Sequence, residues 1–346
     1  MDEVPFTFCK SVCHILYTDG IWAAKELSGD YGRLACVRFR HDCEYDVIVN
    51  DGVILEENLC YCYTGRKVDE PEEIDAVSKK FVRWVYINLD DTKNESVAQC
   101  ARVVRRFPYA FYYFRLLPSS ISEAWVDFTY SLKRLETIMI SEKLDDDSLR
   151  FFTKLVTGRK LLRLMMFAGA CEGGNMEILK SLLCQDQFEG LSVWNDFEDP
   201  WKDLNEAAVG ELLQFWSDNS EKLRGKSLIL DTNCKGGVEQ LEQFVLQRAS
   251  PTATRDLGKV LKVCSKKECD FLDREYHHND ITYAKPSCIY KYEDAREGEL
   301  RGLYVSFECA SQEEEGSPQR HFPAGYNGQD DLSLMRRTTF LRILFT

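Results

Sequence analysis

Val82-Arg83-Trp84-Val85-Tyr86-Ile87 has apolar side chains at its first, fourth and sixth positions. The same spacing returns at Tyr109-Tyr112-Phe114, Leu135-Ile138-Ile140, Leu161-Leu164-Met166, Phe188-Leu191-Val193 and, less completely, Gly225-Leu228-Leu230. The middle residues stand at 85, 112, 138, 164, 191 and 228, so the steps are 27, 26, 26, 27 and 37. Between the runs lie segments of helical periodicity: Ser96–Phe107, Ser148–Val156, Met176–Cys184 and Ala207–Trp216. One strand and one helix per near-constant step predicts a stack of repeated units. A unit of this size cannot bury its apolar face alone, so neighbours share a core. The rival is an ordinary doubly wound sheet, which also alternates strand and helix. Such a sheet has no reason to keep a fixed period, and the expectation is therefore an α/β solenoid.

The runs resemble the L-x-x-L-x-L strand of leucine-rich repeats, which lines the inside of a horseshoe. Asp90, Asp196 and Asn233 stand where those repeats place a polar residue, whereas Leu117, Lys143 and Gly169 depart from the pattern. The resemblance implies an irregular leucine-rich-repeat-like solenoid over residues 76–250, with an insertion around Asp196–Leu204 lengthening the last step. In this register the residues between the apolar positions face the open side: Arg83, Trp84 and Tyr86; Phe111, Tyr113 and Arg115; Thr137 and Met139; Arg163 and Met165; Ser192 and Trp194; Ile229 and Asp231. Aromatic and Arg side chains dominate protein-binding hot spots. The expected substrate-binding residues are accordingly Trp84, Tyr86, Phe111, Tyr113, Arg115, Arg163 and Trp194. A one-residue slip in register would exchange the two faces.

A chain of 346 residues suffices for two or three domains. Its 44% hydrophobic and 29% charged residues are those of a globular chain, not a disordered one. The formal charge of −13 argues against a phosphate-binding surface, and nucleic acid is not an expected partner. No apolar run reaches the length of a membrane span; the best, Leu161–Cys171, contains Arg163. Asp2 and Glu3 stand where a signal peptide would carry basic residues, so an intracellular location, cytoplasmic or nuclear, is expected. Most of the fourteen cysteines are then expected to be buried thiols.

Ahead of the repeats, Val4-Pro5 opens a segment with Phe8, Val12, Ile15 and Leu16 at helical spacing. Proline is at home in the first turn of a helix. The segment resembles the first helix of an F-box, with Pro5 at the motif's proline and Val4, Phe8, Val12 and Leu16 at its apolar positions. Met1–Phe6 with Phe8-Cys9, and then Leu27–Gly32, look like the opening of a nematode-expanded family of F-box-like proteins. That resemblance continues in Lys267–Asp270, His277-His278 and Pro286–Lys291. It implies a substrate-recognition adaptor of a cullin-type ubiquitin ligase, with Pro5, Phe8, Val12 and Leu16 contacting a Skp-type adaptor and the solenoid holding a protein substrate. The residues themselves leave a second reading open, in which residues 1–66 only cap the end of a repeat scaffold with no ubiquitin role.

Leu34–Phe39, Tyr45–Val49, Val53–Leu55 and Leu59–Tyr63 alternate and are rich in β-formers, with Asn50-Asp51-Gly52 as a turn. They predict a small β element within residues 1–66. Beyond the repeats come a helix at Val238–Arg248, a break at Ser250–Thr252, a strand at Leu257–Val263 and a helix at Lys266–Tyr276. A hairpin of Cys288–Tyr292 and Gly302–Glu308 follows, so residues 251–310 are expected to form a cap. Residues 311–346 are expected to be mostly disordered, because Ser311–Arg337 is polar and rich in Glu and Gly.

No catalytic, cofactor-binding or metal-binding motif is present. Cys264, Cys269, His277, His278 and Cys288 do not follow a zinc spacing. Gly169–Gly174 lacks the Lys-Ser/Thr of a phosphate loop and is read as a turn from strand to helix. The expectation is a binding protein, not an enzyme, with no cofactor and no metal.

Overall fold

The computed structural model describes residues 4–16, 18–194, 206–248, 256–294, 301–309 and 321–346. The chain divides into two compact units, Met1–Thr137 and Ile138–Thr346. Both are mixed α/β.

The first unit begins with helices α1 (Phe6–Ile15), α2 (Thr18–Ala24) and α3 (Gly29–His41). Strands β1 (Cys43–Asn50), β2 (Val53–Tyr61) and β3 (Lys67–Val68) follow, then α4 (Pro71–Ala76), β4 (Val82–Leu89), α5 (Asn94–Arg106), β5 (Phe111–Leu116) and α6 (Glu123–Ser131). Strand β6 (Leu135–Ile140) runs across the division between the units. Asp51 and Gly52, both at positive φ, make the two-residue turn of the β1–β2 hairpin. The strand order is β3-β2-β1-β4-β5, with β1, β4 and β5 parallel and the other pairs antiparallel. Helix α5 shows how the sequence builds the crossover from β4 to β5. Ser96, Cys100 and Val103 recur at one face and are buried, while Glu95 begins the helix and Arg105 and Arg106 end it, matching its dipole.

The second unit carries α7 (Asp146–Thr157), β7 (Arg163–Phe167), α8 (Gly174–Leu183), β8 (Gly190–Trp194), α9 (Glu206–Asp218), α10 (Ser220–Leu223), β9 (Ser227–Asp231) and α11 (Lys235–Arg248). It ends with α12 (Leu257–Val260), β10 (Lys262–Val263), α13 (Lys266–Tyr276), β11 (Thr282–Tyr283), β12 (Tyr290–Asp294), β13 (Arg301–Phe307), β14 (Phe322–Pro323) and β15 (Phe340–Phe345). Its strand order is β10-β12-β13-β15-β9-β8-β7, parallel from β7 to β9 and antiparallel from β9 onward. The step from β7 through β8 to β9 never reverses direction, and successive right-handed crossovers place their helices on one face of such a sheet. Trp216 of α9 is fully buried there and stacks on Phe345 of β15 at 5.7 Å. The opposite face of β15 is covered too: Leu344 packs with Cys264, Cys269, Leu272, Tyr283 and Ile289.

Every repeat run lies on a strand or leads into one, and each expected helix between them is present. Three expectations are corrected. Leu34–Phe39 is helical, inside α3, because Ala35 and Arg38 face inward one turn apart and period 3.6 outweighs the local β-propensity. Leu257–Val263 divides into α12 and the two-residue β10. The tail expected to be mostly disordered is ordered from His321: Phe322–Pro323 pairs with β11, Leu332–Arg337 forms a 3-10 turn, and β15 pairs with both β9 and β13. Those two edges satisfy the backbone of an otherwise polar tail, a gain that composition does not register. The expected insertion at Asp196–Leu204, the break at Ser250–Thr252 and residues 311–320 of the tail lie outside the described residues.

Candidate functional site

Helices α1–α3 form a three-helix module. Pro5 immediately precedes α1, and its carbonyl accepts the backbone N–H of Phe8 and of Cys9, at 2.9 and 3.1 Å. The inward face of α1 carries Cys9 and Cys13, which join Ile21, Ala24 and Ala35 in the core. Phe8 points the other way and is 55% exposed; Val12 and Leu16 are half-buried. Four further large apolar side chains of this module are exposed: Phe6, Trp22, Leu27 and Val37. Arg33 lies over the Phe6 ring at 5.7 Å, and Val37 sits one turn along the same face of α3. Of the expected contact residues Phe8 is therefore exposed while Val12 and Leu16 are half-buried, and Phe6 and Val37 are exposed as well.

The module is tied to the sheet of its unit at one end. Phe39 stacks on Tyr63 and His41 on Phe81, each with ring centroids 5.0 Å apart. Arg38 donates to Asp42 at 2.7 Å, and Arg83 lies 4.0 Å from the same carboxylate. Burial pushes the Asp42 carboxyl up, and the two guanidiniums, Arg38 foremost, pull it back. Arg83 is expected on the open face and is not there. The β1–β4 register shifts beside it, with Cys43 opposite Val82 and Glu44 opposite Trp84, and this bulge turns Arg83 inward.

Beyond the bulge β4 and β5 alternate cleanly. Val85, Ile87, Leu89, Tyr112, Phe114 and Leu116 are buried, and Trp84, Tyr86, Asn88, Phe111, Tyr113 and Arg115 are half-exposed on the other face. The register aligns that face in three rows. Cys60, Glu44, Trp84 and Phe111 make the first, Asn58, Asp46, Tyr86 and Tyr113 the second, and Glu56, Ile48, Asn88 and Arg115 the third. The Tyr86 and Tyr113 rings lie 4.8 Å apart, and Arg134 covers Phe111 at 5.5 Å. Asn88 donates to Asp46 at 2.8 Å. Burial raises both the Glu44 and Asp46 carboxyls. The neighbouring Asp46 adds to the rise at Glu44, while Arg115 and then Asn88 oppose it at Asp46.

Of the expected substrate-binding residues, five therefore share one face of the first unit: Trp84, Tyr86, Phe111, Tyr113 and Arg115. Arg163 and Trp194 lie in the second unit. Arg163 opens β7, is exposed, and donates to Glu189 at 2.9 Å; Trp194 ends β8 opposite Asp231 and is half-exposed. Glu44 and Asp46 escaped the sequence reading. Residues 43–50 alternate buried and half-buried with period two, but nothing local says that β1 joins β4 instead of forming a separate β element.

A second polar cluster is closed to solvent. His278 Nε2 is 3.2 Å from Ser306 Oγ, which is 2.8 Å from the Tyr283 hydroxyl, and Arg342 donates to the His278 carbonyl at 2.9 Å. Burial, followed by the charge of Arg342, lowers the His278 pKa to about 3. Ser306 and His278 are buried, and the trio together with Arg342 ties β13, β11 and β15 to one another away from solvent. Cys264 and Cys269 lie in the adjoining apolar core, and Cys288 Sγ donates to the Gly328 carbonyl at 3.0 Å. All fourteen cysteines are free. Among the described residues no group of His, Cys, Asp and Glu is placed to hold a metal, and no helix is long and apolar enough to cross a membrane. No family model and no curated protein matches the chain.

Proposed function

We propose that the chain is a protein-interaction module without catalytic activity, a substrate-recognition adaptor of a cullin-type ubiquitin ligase. In this reading the three N-terminal helices dock on a Skp-type adaptor. The strand–helix units form an irregular leucine-rich-repeat-like array whose aromatic face holds a protein substrate. The observation that carries the reading is the pair Phe6 and Phe8, 45% and 55% exposed on a helix whose inward face is already filled by Cys9 and Cys13. Large aromatic side chains left in water on a short helix suit burial against a partner. The parallel run β7-β8-β9 in the second unit and the half-exposed aromatic face of β4 and β5 in the first support the array.

The second reading, a scaffold capped by residues 1–66 with no ubiquitin role, draws support from the Phe39–Tyr63 and His41–Phe81 stacks and from the Arg38–Asp42 pair. Co-purification of the full chain with a Skp-type adaptor, beside a Phe6→Asp/Phe8→Asp variant, separates the two. Both positions are exposed, so the variant should fold. Stoichiometric adaptor with the parent and none with the variant is expected. Absence of adaptor from both preparations would remove the ligase reading and leave the scaffold.

A further inference from the structure

We propose that the open sheet face of the first unit takes an extended protein segment bearing a lysine or arginine, whose cation sits at Glu44 with its stem along Trp84 and Tyr86. This rests on the reading of that face as the substrate-holding surface and names the class of substrate.

The Glu44 side chain sets the character of this face. Its carboxylate is half-buried on β1, directly opposite Trp84 on β4 and Cys60 on β2, and one row from Tyr86. Asp46, the next residue on this face, has Asn88 at 2.8 Å and the charge of Arg115. Glu44 has neither: among the described residues no Lys, Arg or His forms an ion pair with it, and the group acting on its charge is another carboxylate. A carboxylate drawn out of water without a cation is a standing cost in the folded chain, and a bound cation removes it.

The surroundings select the same occupant. Aromatic rings beside a carboxylate favour an amphipathic cation, because the stem lies on apolar surface while the charge meets both the ring faces and the carboxylate. Phe111 and Tyr113 extend the aromatic floor across β5 for the neighbouring side chains of the segment. An acidic segment would meet Glu44, Asp46 and Glu56. The basic groups near this face are Lys67, across from Cys60 at the edge, Arg134 over Phe111, Arg83, which lies 6.0 Å from the Trp84 ring and beside the Asp42 carboxylate, and Arg115, whose charge already acts on Asp46. An extended occupant presents alternate side chains at the strand repeat, which matches rows set by strand pairing.

The test uses the full chain and three pools of random octapeptides that share a fixed central residue: Lys, Gln or Glu. Binding is measured for the parent, for Glu44→Gln, for Trp84→Ala, and for Glu72→Gln/Glu73→Gln, which removes two exposed charges from α4. The expected result for the parent is the Lys pool ahead of the Gln pool by about tenfold, the scale of one good contact, and the Glu pool weakest. Glu44→Gln should erase the difference between Lys and Gln, Trp84→Ala should weaken every pool, and the α4 variant should keep the parent's ranking. If Lys and Gln pools bind alike and both depend on Trp84, the basic specificity is overturned while the face remains a protein-binding surface. Binding that is indifferent to Trp84 in every pool would overturn both. A preference for Lys that the α4 variant loses would assign it to overall charge and overturn the site. Should Glu44→Gln fail to fold, the parent's ranking read beside those of Trp84→Ala and the α4 variant decides the matter: a Lys preference that survives in the α4 variant and is weakened in Trp84→Ala supports the site, and any other pattern overturns it.

Discussion

Gly32 illustrates a residue whose role depends on backbone close by in space. By propensity it weakens α3 by roughly 1 kcal/mol relative to alanine. A Cβ at this position would stand 1.7 Å from the Leu27 carbonyl oxygen, so the turn between α2 and α3 closes only over glycine. Gly32→Ala is expected to destabilise the three-helix module by about 1–3 kcal/mol, as overpacking does, visible as a lower thermal midpoint. An unchanged midpoint would mean that the α2–α3 turn opens freely. His278 supplies a pH prediction at the same scale. Its folded pKa, lowered to about 3, lies below the value near 6.5 of an unfolded histidine. The unfolded chain therefore binds a proton that the folded chain refuses, so stability present above pH 6.5 is lost as the pH falls toward 3. In His278→Gln the melting temperature should fall less steeply across that window than in the parent; equal slopes would refute the assignment. None of this is legible in the sequence, where His277-His278 bears only on a metal spacing and on the family resemblance.

At the scale of elements, the sequence was most informative where periodicity and end signals agree. Helix α13 begins with Ser265, whose hydroxyl accepts the Glu268 backbone N–H while the Glu268 carboxylate accepts from Ser265, and its bounds match the expectation from sequence. Lys291 of β12 also donates to Glu268, at 2.5 Å. Its hydrogen bond, followed by that of Ser265, lowers the Glu268 pKa to about 2. A depressed carboxyl contributes stability that is present above its unfolded value near 4.3 and lost as the pH falls toward 2. Glu268→Gln should therefore melt below the parent at pH 7 and converge with it near pH 2. A gap that persisted in acid would place the effect outside the charge of Glu268. By contrast Leu34–Phe39 has the look of a strand although it lies in α3, because alternating β-formers mask a helical face. A six-residue window cannot tell the two periods apart when the deciding contacts, such as Phe39 on Tyr63, come from residues distant in sequence.

Across the whole molecule, the repeat spacing disclosed the helix-linked strands and their buried positions, because each unit's pattern is self-contained. Strand partners drawn from far along the chain were not legible: β1 beside β4, and β15 between β9 and β13. The first of these puts Glu44 beside the aromatic rows, which is why that part of the face went unforeseen. The second makes a testable claim about residues 340–345. Removing residues 339–346 would take an internal strand out of the second unit and expose Trp216, which stacks on Phe345. The shortened chain is expected to lose cooperative melting of that unit and to become sensitive to protease, whereas a chain that kept the parent's melting profile would show β15 to be dispensable.

The place of β15 also bears on how the protein is made. Strand β9 ends at Asp231 and its partner begins at Phe340, so the edge of β9 stays without that partner while more than a hundred residues are added. At about 5–20 residues per second this wait is roughly 5–20 s, during which an apolar strand edge is open to any other nascent chain. The polyribosome, more than the finished protein, is where this fold is exposed to mispairing.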